Sequence, residues 1–186
     1  MKHIAGRYYH IYNRGVEKRK IFASNENCRF LLRRIKEFLP EYPLTFMAYC
    51  LMPNHYHFLF RAEEDGGIAP FIQRLFNSYT QAFNKQEKRS GTLFESRAKS
   101  ILIDESSYLF HICRYIHLNP VLAGLVIKPE DWLYSNYREF IGFRQGTLYE
   151  AAFIEEQFGT PEEYKKFVEN DIPDAIDRKL AKYMFD

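Results

Sequence analysis

Two apolar runs separated by a short turn constrain this chain more than any other feature. Leu44-Thr45-Phe46-Met47-Ala48-Tyr49-Cys50 and His55-Tyr56-His57-Phe58-Leu59-Phe60 both read as strands, and Met52-Pro53-Asn54 between them reads as a turn. So short a connection predicts an antiparallel hairpin. Alternate residues of a strand share a face, so His55 and His57 point one way and Tyr56 points the other, into packing. Two imidazoles side by side on a rigid strand can share one divalent cation and leave its other positions to phosphate oxygens. His-x-His is also a common structural pairing, so this one is a metal site only if further donors join it.

The flanking elements fix the fold class. Tyr8-Tyr9-His10-Ile11-Tyr12-Asn13 reads as a strand ending at Asn13-Arg14-Gly15, followed by a charged loop over residues 16–22. Ser24 or Asn25 can cap a helix carrying Phe30, Leu31, Ile35, Phe38 and Leu39, closed by Pro40 and Pro43. After the hairpin, Ile68, Phe71, Ile72, Leu75, Phe76, Tyr79 and Phe83 mark one side of a second helix. Residues 96–103 read as a fourth strand with Arg97 and Lys99 two apart. A third helix follows, capped by Asp104 or Ser106 and apolar at Leu109, Ile112, Cys113 and Ile116, with Pro120 expected to break it. The order strand, helix, strand, strand, helix, strand, helix predicts an α+β fold: a ferredoxin-like antiparallel sheet with helices on one face. A helical extension follows, including a helix over 161–168 opened by Thr160-Pro161-Glu162-Glu163.

Charge divides the chain at the same place. Residues 1–145 hold 21 Lys and Arg against 14 Asp and Glu, a net +7, whereas residues 146–186 hold 5 against 10, a net −5. We therefore expect one domain over 1–145 and an acidic extension over 146–186. A basic body, with 17 Phe and 14 Tyr in the chain, suits a polyanionic partner whose bases can stack, although a solvated charged surface gives the same count. No apolar run approaches the ~20 residues needed to span a bilayer, and the opening residues lack a signal peptide's apolar stretch. Cys28, Cys50 and Cys113 form no Cys-x-x-Cys pair, as expected of reduced thiols in a cytoplasmic, nucleoid-associated protein.

On the third helix Tyr115 and Asn119 are four residues apart and share a face. The Asn119 amide oxygen can complete a site begun by His55 and His57, and such a nitrogen and oxygen set suits Mg²⁺ or Mn²⁺. Tyr115 would then stand beside the cation as a nucleophile. Spacing alone favours a packed tyrosine and an ordinary helix end at Asn119-Pro120. Tyr79 is a rival nucleophile, and its neighbours Leu75, Phe76 and Phe83 favour packing for it too.

Five stretches, spread over residues 9–126, change that balance: Tyr9-His10-Ile11-Tyr12-Asn13-Arg14-Gly15, Met52-Pro53-Asn54-His55-Tyr56-His57, Ser78-Tyr79-Thr80-Gln81-Ala82-Phe83-Asn84, residues 91–100 and residues 114–126. Together they resemble the single-tyrosine HUH transposases, most closely the REP-associated tyrosine transposases. The resemblance implies metal ligands at His55, His57 and Asn119 and a nucleophile at Tyr115. It also implies cleavage and transfer of single-stranded DNA beside a REP-like hairpin through a 5′-phosphotyrosine, by a monomer or homodimer. Arg14, Lys18, Arg19, Lys20, Arg97 and Lys99 are candidate phosphate contacts. Glu95 stands where the family pattern leads us to expect Gln, and Ala98 where it leads us to expect a larger apolar residue. Two other readings fit the same residues: a single-strand-binding module without catalysis, and a metal-dependent phosphodiesterase that uses water.

Overall fold

The computed structural model describes residues 2–104 and 106–170. The expected cap of the third helix adjoins residue 105, and the expected extension ends in 171–186; residues 105 and 171–186 lie outside the described residues. The elements are β1 (Tyr8–Arg14), α1 (Asn25–Phe38), β2 (Leu44–Met52), β3 (His55–Ala62), α2 (Ile68–Gln86), β4 (Lys99–Ile103), α3 (Ser106–Leu122), α4 (Tyr137–Phe140), α5 (Ala151–Phe158) and α6 (Pro161–Glu169), with short 3₁₀ turns between some of them.

The hairpin forms as expected. Met52 pairs with His55, so only Pro53 and Asn54 turn. Neither adopts a positive φ, and the proline ring forbids one, so the connection is not the mirror-image turn that two-residue hairpins favour. The four strands order as β2-β3-β1-β4, all antiparallel, which is the ferredoxin-like arrangement.

The helices do not all lie on one face. Tyr9, Ile11, Tyr56, Phe58 and Phe60 pack against Leu31 and Ile35 of α1 and Phe71 and Leu75 of α2. On the opposite face Ala48, Cys50, Met52 and Leu59 pack against Leu109, Ile112, Cys113 and Ile116 of α3. Burying each such side chain stabilises by about 1.5–3 kcal/mol, so both faces need cover. The correction has a visible cause in β2, which is buried at nearly every position instead of alternating. A bulge between Phe46 and Ala48 adds to it, turning Met47 and Ala48 both towards α3.

Helix α3 also runs through Pro120 instead of stopping before it. Proline forfeits the hydrogen bond to the Ile116 carbonyl, yet the helix closes two residues later. There Gly124, at φ +67°, donates to the Val121 carbonyl at 2.9 Å and Leu125 donates to the Pro120 carbonyl at 2.9 Å. That pair of bonds is a Schellman end, which only glycine adopts without strain.

The far side of α3 is covered by the chain that follows it. Phe140, Ile141, Phe153, Ile154, Tyr164 and Val168 join the same apolar cluster. Within it a buried polar chain ties four elements. The Asn136 side-chain amide nitrogen donates to the Met47 carbonyl at 3.0 Å, and its oxygen accepts from the Tyr49 amide at 2.8 Å and from His117 Nε2 at 3.0 Å. His117 Nδ1 then accepts from the Tyr164 hydroxyl at 2.6 Å. Helix α6 opens on the expected cap, with Glu163 donating its amide to Thr160 Oγ1 at 3.2 Å and returning its carboxylate to the Thr160 amide at 2.7 Å. Cys28, Cys50 and Cys113 are buried free thiols, and no helix among the described residues is long and apolar enough to cross a membrane.

Candidate active site

Cross-strand partners share a face, so register alone assembles most of this site. Arg14 lies opposite His55, Tyr12 opposite His57, and Lys99 opposite Tyr12 on the far side of β1. His57, Tyr12 and Lys99 therefore form a row across three strands about 4.8 Å apart. Helix α3 lies over this face and brings down Tyr115 and Asn119, 6% and 7% exposed. The Tyr115 ring stands 5.4 Å from that of His57 at 81°, and the His55 and His57 rings are 5.0 Å apart at 87°.

The hydrogen bonds around the histidines fix where their lone pairs point. His55 Nδ1 is 2.7 Å from the Asn54 side-chain oxygen, an acceptor, so Nδ1 carries the proton. Its Nε2 then presents a lone pair to the Asn119 side-chain oxygen, 3.2 Å away. With the amides oriented in this way, two acceptors face each other. That separation is close to the edge of an octahedron whose ligands stand about 2.1 Å from a cation, an edge of ~3 Å. His57 Nδ1 is 2.9 Å from His10 Nε2. The tautomer in which Nδ1–H donates leaves Nε2 of His57 with its lone pair. Burial, with His10 and His55 nearby, holds His57 well below the ordinary histidine range. Burial also lowers His55, against the pull of Asn119, and Arg14 lowers it further. Both rings are thus neutral near pH 7, the form that ligates cations. Among the described residues no group of three His, Cys, Asp or Glu side chains could hold a metal ion, and the further side-chain oxygen that stands against His55 is that of Asn119.

The candidate cations divide. Arg14 and Lys99 belong to this face: Arg14 Nε pairs with Glu95 at 3.1 Å, and the Lys99 ammonium stands 5.7 Å from the Tyr12 ring. Lys18, Arg19 and Lys20 are exposed on the β1–α1 loop. That loop is bonded to the hairpin turn, with Ile21 donating to the Pro53 carbonyl at 2.8 Å and the Asn54 amide to the Lys18 carbonyl at 3.2 Å; Arg19 also pairs with Glu17. Arg97 does not share a face with Lys99, because β4 begins only at Lys99 and Arg97 lies in the preceding loop, beside a cavity on the α2 side of the sheet. Tyr79 is on that side too. Its hydroxyl donates to the Ile21 carbonyl inside the α1–α2 core, and burial raises its pKa, so it cannot reach the histidine face.

One residue of the site was missed. His10 bonds His57 from β1, and its signal was the alternation of His10, Tyr12 and Arg14 along a strand next to the His-x-His strand.

Known proteins resemble this chain in sequence and in fold. The family profile described as "Transposase IS200 like" matches residues 4–119. A Haemophilus influenzae protein named as a REP-associated tyrosine transposase is 30% identical over 112 residues, 55% of this chain and 64% of the relative. The chain thus spans less than two thirds of that relative. A solved structure of a REP-associated tyrosine transposase bound to a REP hairpin superposes with a TM-score of 0.66 at 18% identity, covering 80% of this chain and 93% of the other.

Proposed function

Because the chain belongs to the IS200-like transposase family, we propose that the histidine face cleaves and rejoins single-stranded DNA, with Tyr115 as nucleophile. The observation that carries this reading is the convergence of His55 Nε2 and the Asn119 side-chain oxygen at 3.2 Å, on the face where the Tyr115 ring meets His57. His55, His57 and Asn119 would hold a Mg²⁺ or Mn²⁺ ion. Bound there, such an ion would polarise a phosphodiester and stabilise charge developing on it. The Tyr115 oxygen attacks phosphorus, the bond to the 3′ oxygen breaks, the phenolic proton is given up, and the departing 3′ oxygen takes up a proton. The products are a 5′-phosphotyrosine and a strand ending in a 3′-hydroxyl. A 3′-hydroxyl can reverse the step without ATP because the energy of the diester is kept in the tyrosyl ester. Arg14 and Lys99 flank the site and would hold phosphates on either side. The superposed transposase is bound to a REP hairpin, which supports hairpin DNA as the partner of this chain.

The test is a labelled single strand carrying a hairpin, incubated with Mn²⁺ and run on a denaturing detergent gel. Wild type should give cut DNA and a protein-linked strand. Tyr115→Phe should abolish both and keep metal and DNA binding, whereas His57→Ala should lose cleavage through lost metal affinity. A linked strand with Tyr115→Phe would refute the assignment of the nucleophile.

A further inference from the structure

Three side chains on the histidine face meet at one ring. Tyr12 sits in the middle of the row across β3, β1 and β4, with His57 as its cross-strand partner on one side and Lys99 on the other. Its ring lies 6.0 Å from that of His57 at 29°, and 5.0 Å from that of His10 at 32°. Those two imidazoles are themselves joined at 2.9 Å. The Tyr12 ring is therefore held by two neighbours that do not move independently, and a buried side chain packed in this way keeps one rotamer. The Lys99 ammonium stands 5.7 Å from the centre of this ring. That is inside the ~6 Å within which the face of an aromatic ring attracts a cation.

The two partners differ in exposure. Lys99 is exposed, whereas Tyr12 is 6% exposed. So little of the ring meets solvent that an incoming base has no face to stack on, and the ring serves instead as a support for the ammonium beside it. Support matters for a lysine. The backbone of Lys99 is fixed by the ladder that begins there, but its flexible four-carbon stem loses rotamer freedom when the ammonium binds a phosphate. An ammonium already held against a fixed ring loses less of that freedom, so its contact with a phosphate is tighter.

We propose that Tyr12 is a positioning residue: its ring holds the Lys99 ammonium, at a set place relative to His57, for a phosphate of the bound strand. The proposal rests on the reading of the histidine face as a single-strand nuclease site with Lys99 as a phosphate contact. The charge at the β4 end of the row and the imidazole at the β3 end are tied to the same ring. The phosphate on Lys99 thus takes a defined place relative to the one that meets His55 and His57. The face of the ring carries this role, and the Tyr12 hydroxyl does not enter it.

The full chain is tested by fluorescence anisotropy with a fluorescein-labelled single strand carrying a hairpin, in EDTA so that affinity is read without cleavage. Lys99→Met removes the charge, keeps the stem and should weaken binding. Tyr12→Phe keeps the ring and should bind as wild type does. A trifluorinated phenylalanine placed at position 12 by amber suppression keeps the shape but withdraws electrons from the ring face that the cation meets. It should weaken binding about two- to fivefold relative to Tyr12→Phe, the worth of one exposed cation–ring contact. In the Lys99→Met background it should cause no further loss. Tyr12→Leu, which has no ring, should show the same dependence on Lys99. A merely structural Tyr12 would lower the unfolding midpoint and act equally in both backgrounds. Equal losses with and without the Lys99 charge overturn the proposal, as does wild-type affinity in Lys99→Met or in the fluorinated variant. If Tyr12→Leu does not fold, the near-isosteric fluorinated variant decides alone. The two readings fail separately: a wild type that forms no covalent adduct with Mn²⁺ removes the nuclease site, whereas the coupling of Tyr12 to Lys99 is read in EDTA whatever the adduct shows. A wild type that does not bind the strand overturns both.

Discussion

At the scale of single residues, His10 carries the most consequence for its size. Its Nε2 holds His57 Nδ1 at 2.9 Å, and its ring stacks beside that of His57 at 5.1 Å. A partner of this kind fixes the tautomer of a ligating histidine, and its loss typically costs ten- to a hundredfold in metal affinity. His10→Leu keeps the volume and removes the acceptor, so Mn²⁺ affinity followed by EPR should fall by about that factor. His10→Gln, whose amide oxygen can accept, should recover part of it. A purely structural role would lower stability in both variants and leave the affinity ratio near one. Glu95 is a second residue of interest. Its carboxylate pairs with Arg14 at 3.1 Å, so its charge is felt at a residue of the histidine face.

At the scale of elements, the β1–α1 loop shows how one small residue holds a basic segment in place. A Cβ on Gly15 would stand 2.1 Å from the Arg19 carbonyl oxygen and 2.9 Å from Ile21 Cγ2. The same loop accepts from the hairpin turn at Lys18 and donates to it at Gly15 and Ile21. Gly15→Ala should therefore lower stability by about 1–3 kcal/mol, the usual cost of overpacking, and displace Lys18, Arg19 and Lys20 from the turn that carries His55. Gly124→Ala is the matched control. Nothing lies within 4 Å of a Cβ there, but φ is +67°, so only the conformational cost of about 1 kcal/mol applies. Thermal unfolding of the pair separates crowding from backbone strain, and only Gly15→Ala should also weaken binding of single-stranded DNA.

At the scale of the whole molecule, helix α3 is clamped between the sheet and the chain that follows it. His117 is the polar rivet of that clamp, facing Asn136, Tyr137, Phe140 and Tyr164. Burial lowers its pKa to about 4, with the Asn136 contact pulling the other way. In the unfolded chain it titrates near 6.5, so between pH 6.5 and 4 the unfolded state binds a proton that the folded state refuses. The stabilisation is complete above about pH 6.5 and is lost as pH falls towards 4, an effect of ~3 kcal/mol. His55 and His57 add to the loss in the same direction. Unfolding midpoints followed from pH 7 to pH 4 should fall steeply for wild type and less steeply for His117→Gln. Equal slopes would place the acid sensitivity elsewhere.

The sequence by itself determined the local things. The hairpin, the split β-α-β order, the shared face of His55 and His57, and the cap at Thr160 all follow from period, turn chemistry and spacing over a few residues. The pairing of Tyr115 with Asn119 was visible as helical spacing, but only the resemblance distinguished it from packing. Three things were decided by tertiary structure. Helix α3 covers the second face of the sheet because β2 is buried on both sides, and a single apolar stripe on α3 could not reveal that its other side is covered too. Pro120 stays inside α3 because the Schellman bonds at Gly124 and the packing around the helix outweigh one missing amide bond. Arg97 and Lys99 part to opposite sides of the sheet because β4 begins three residues later than its composition suggests, where pairing with Tyr12 of β1 can start. Each is a long-range pairing or burial, and those energies belong to partners that are distant in the chain.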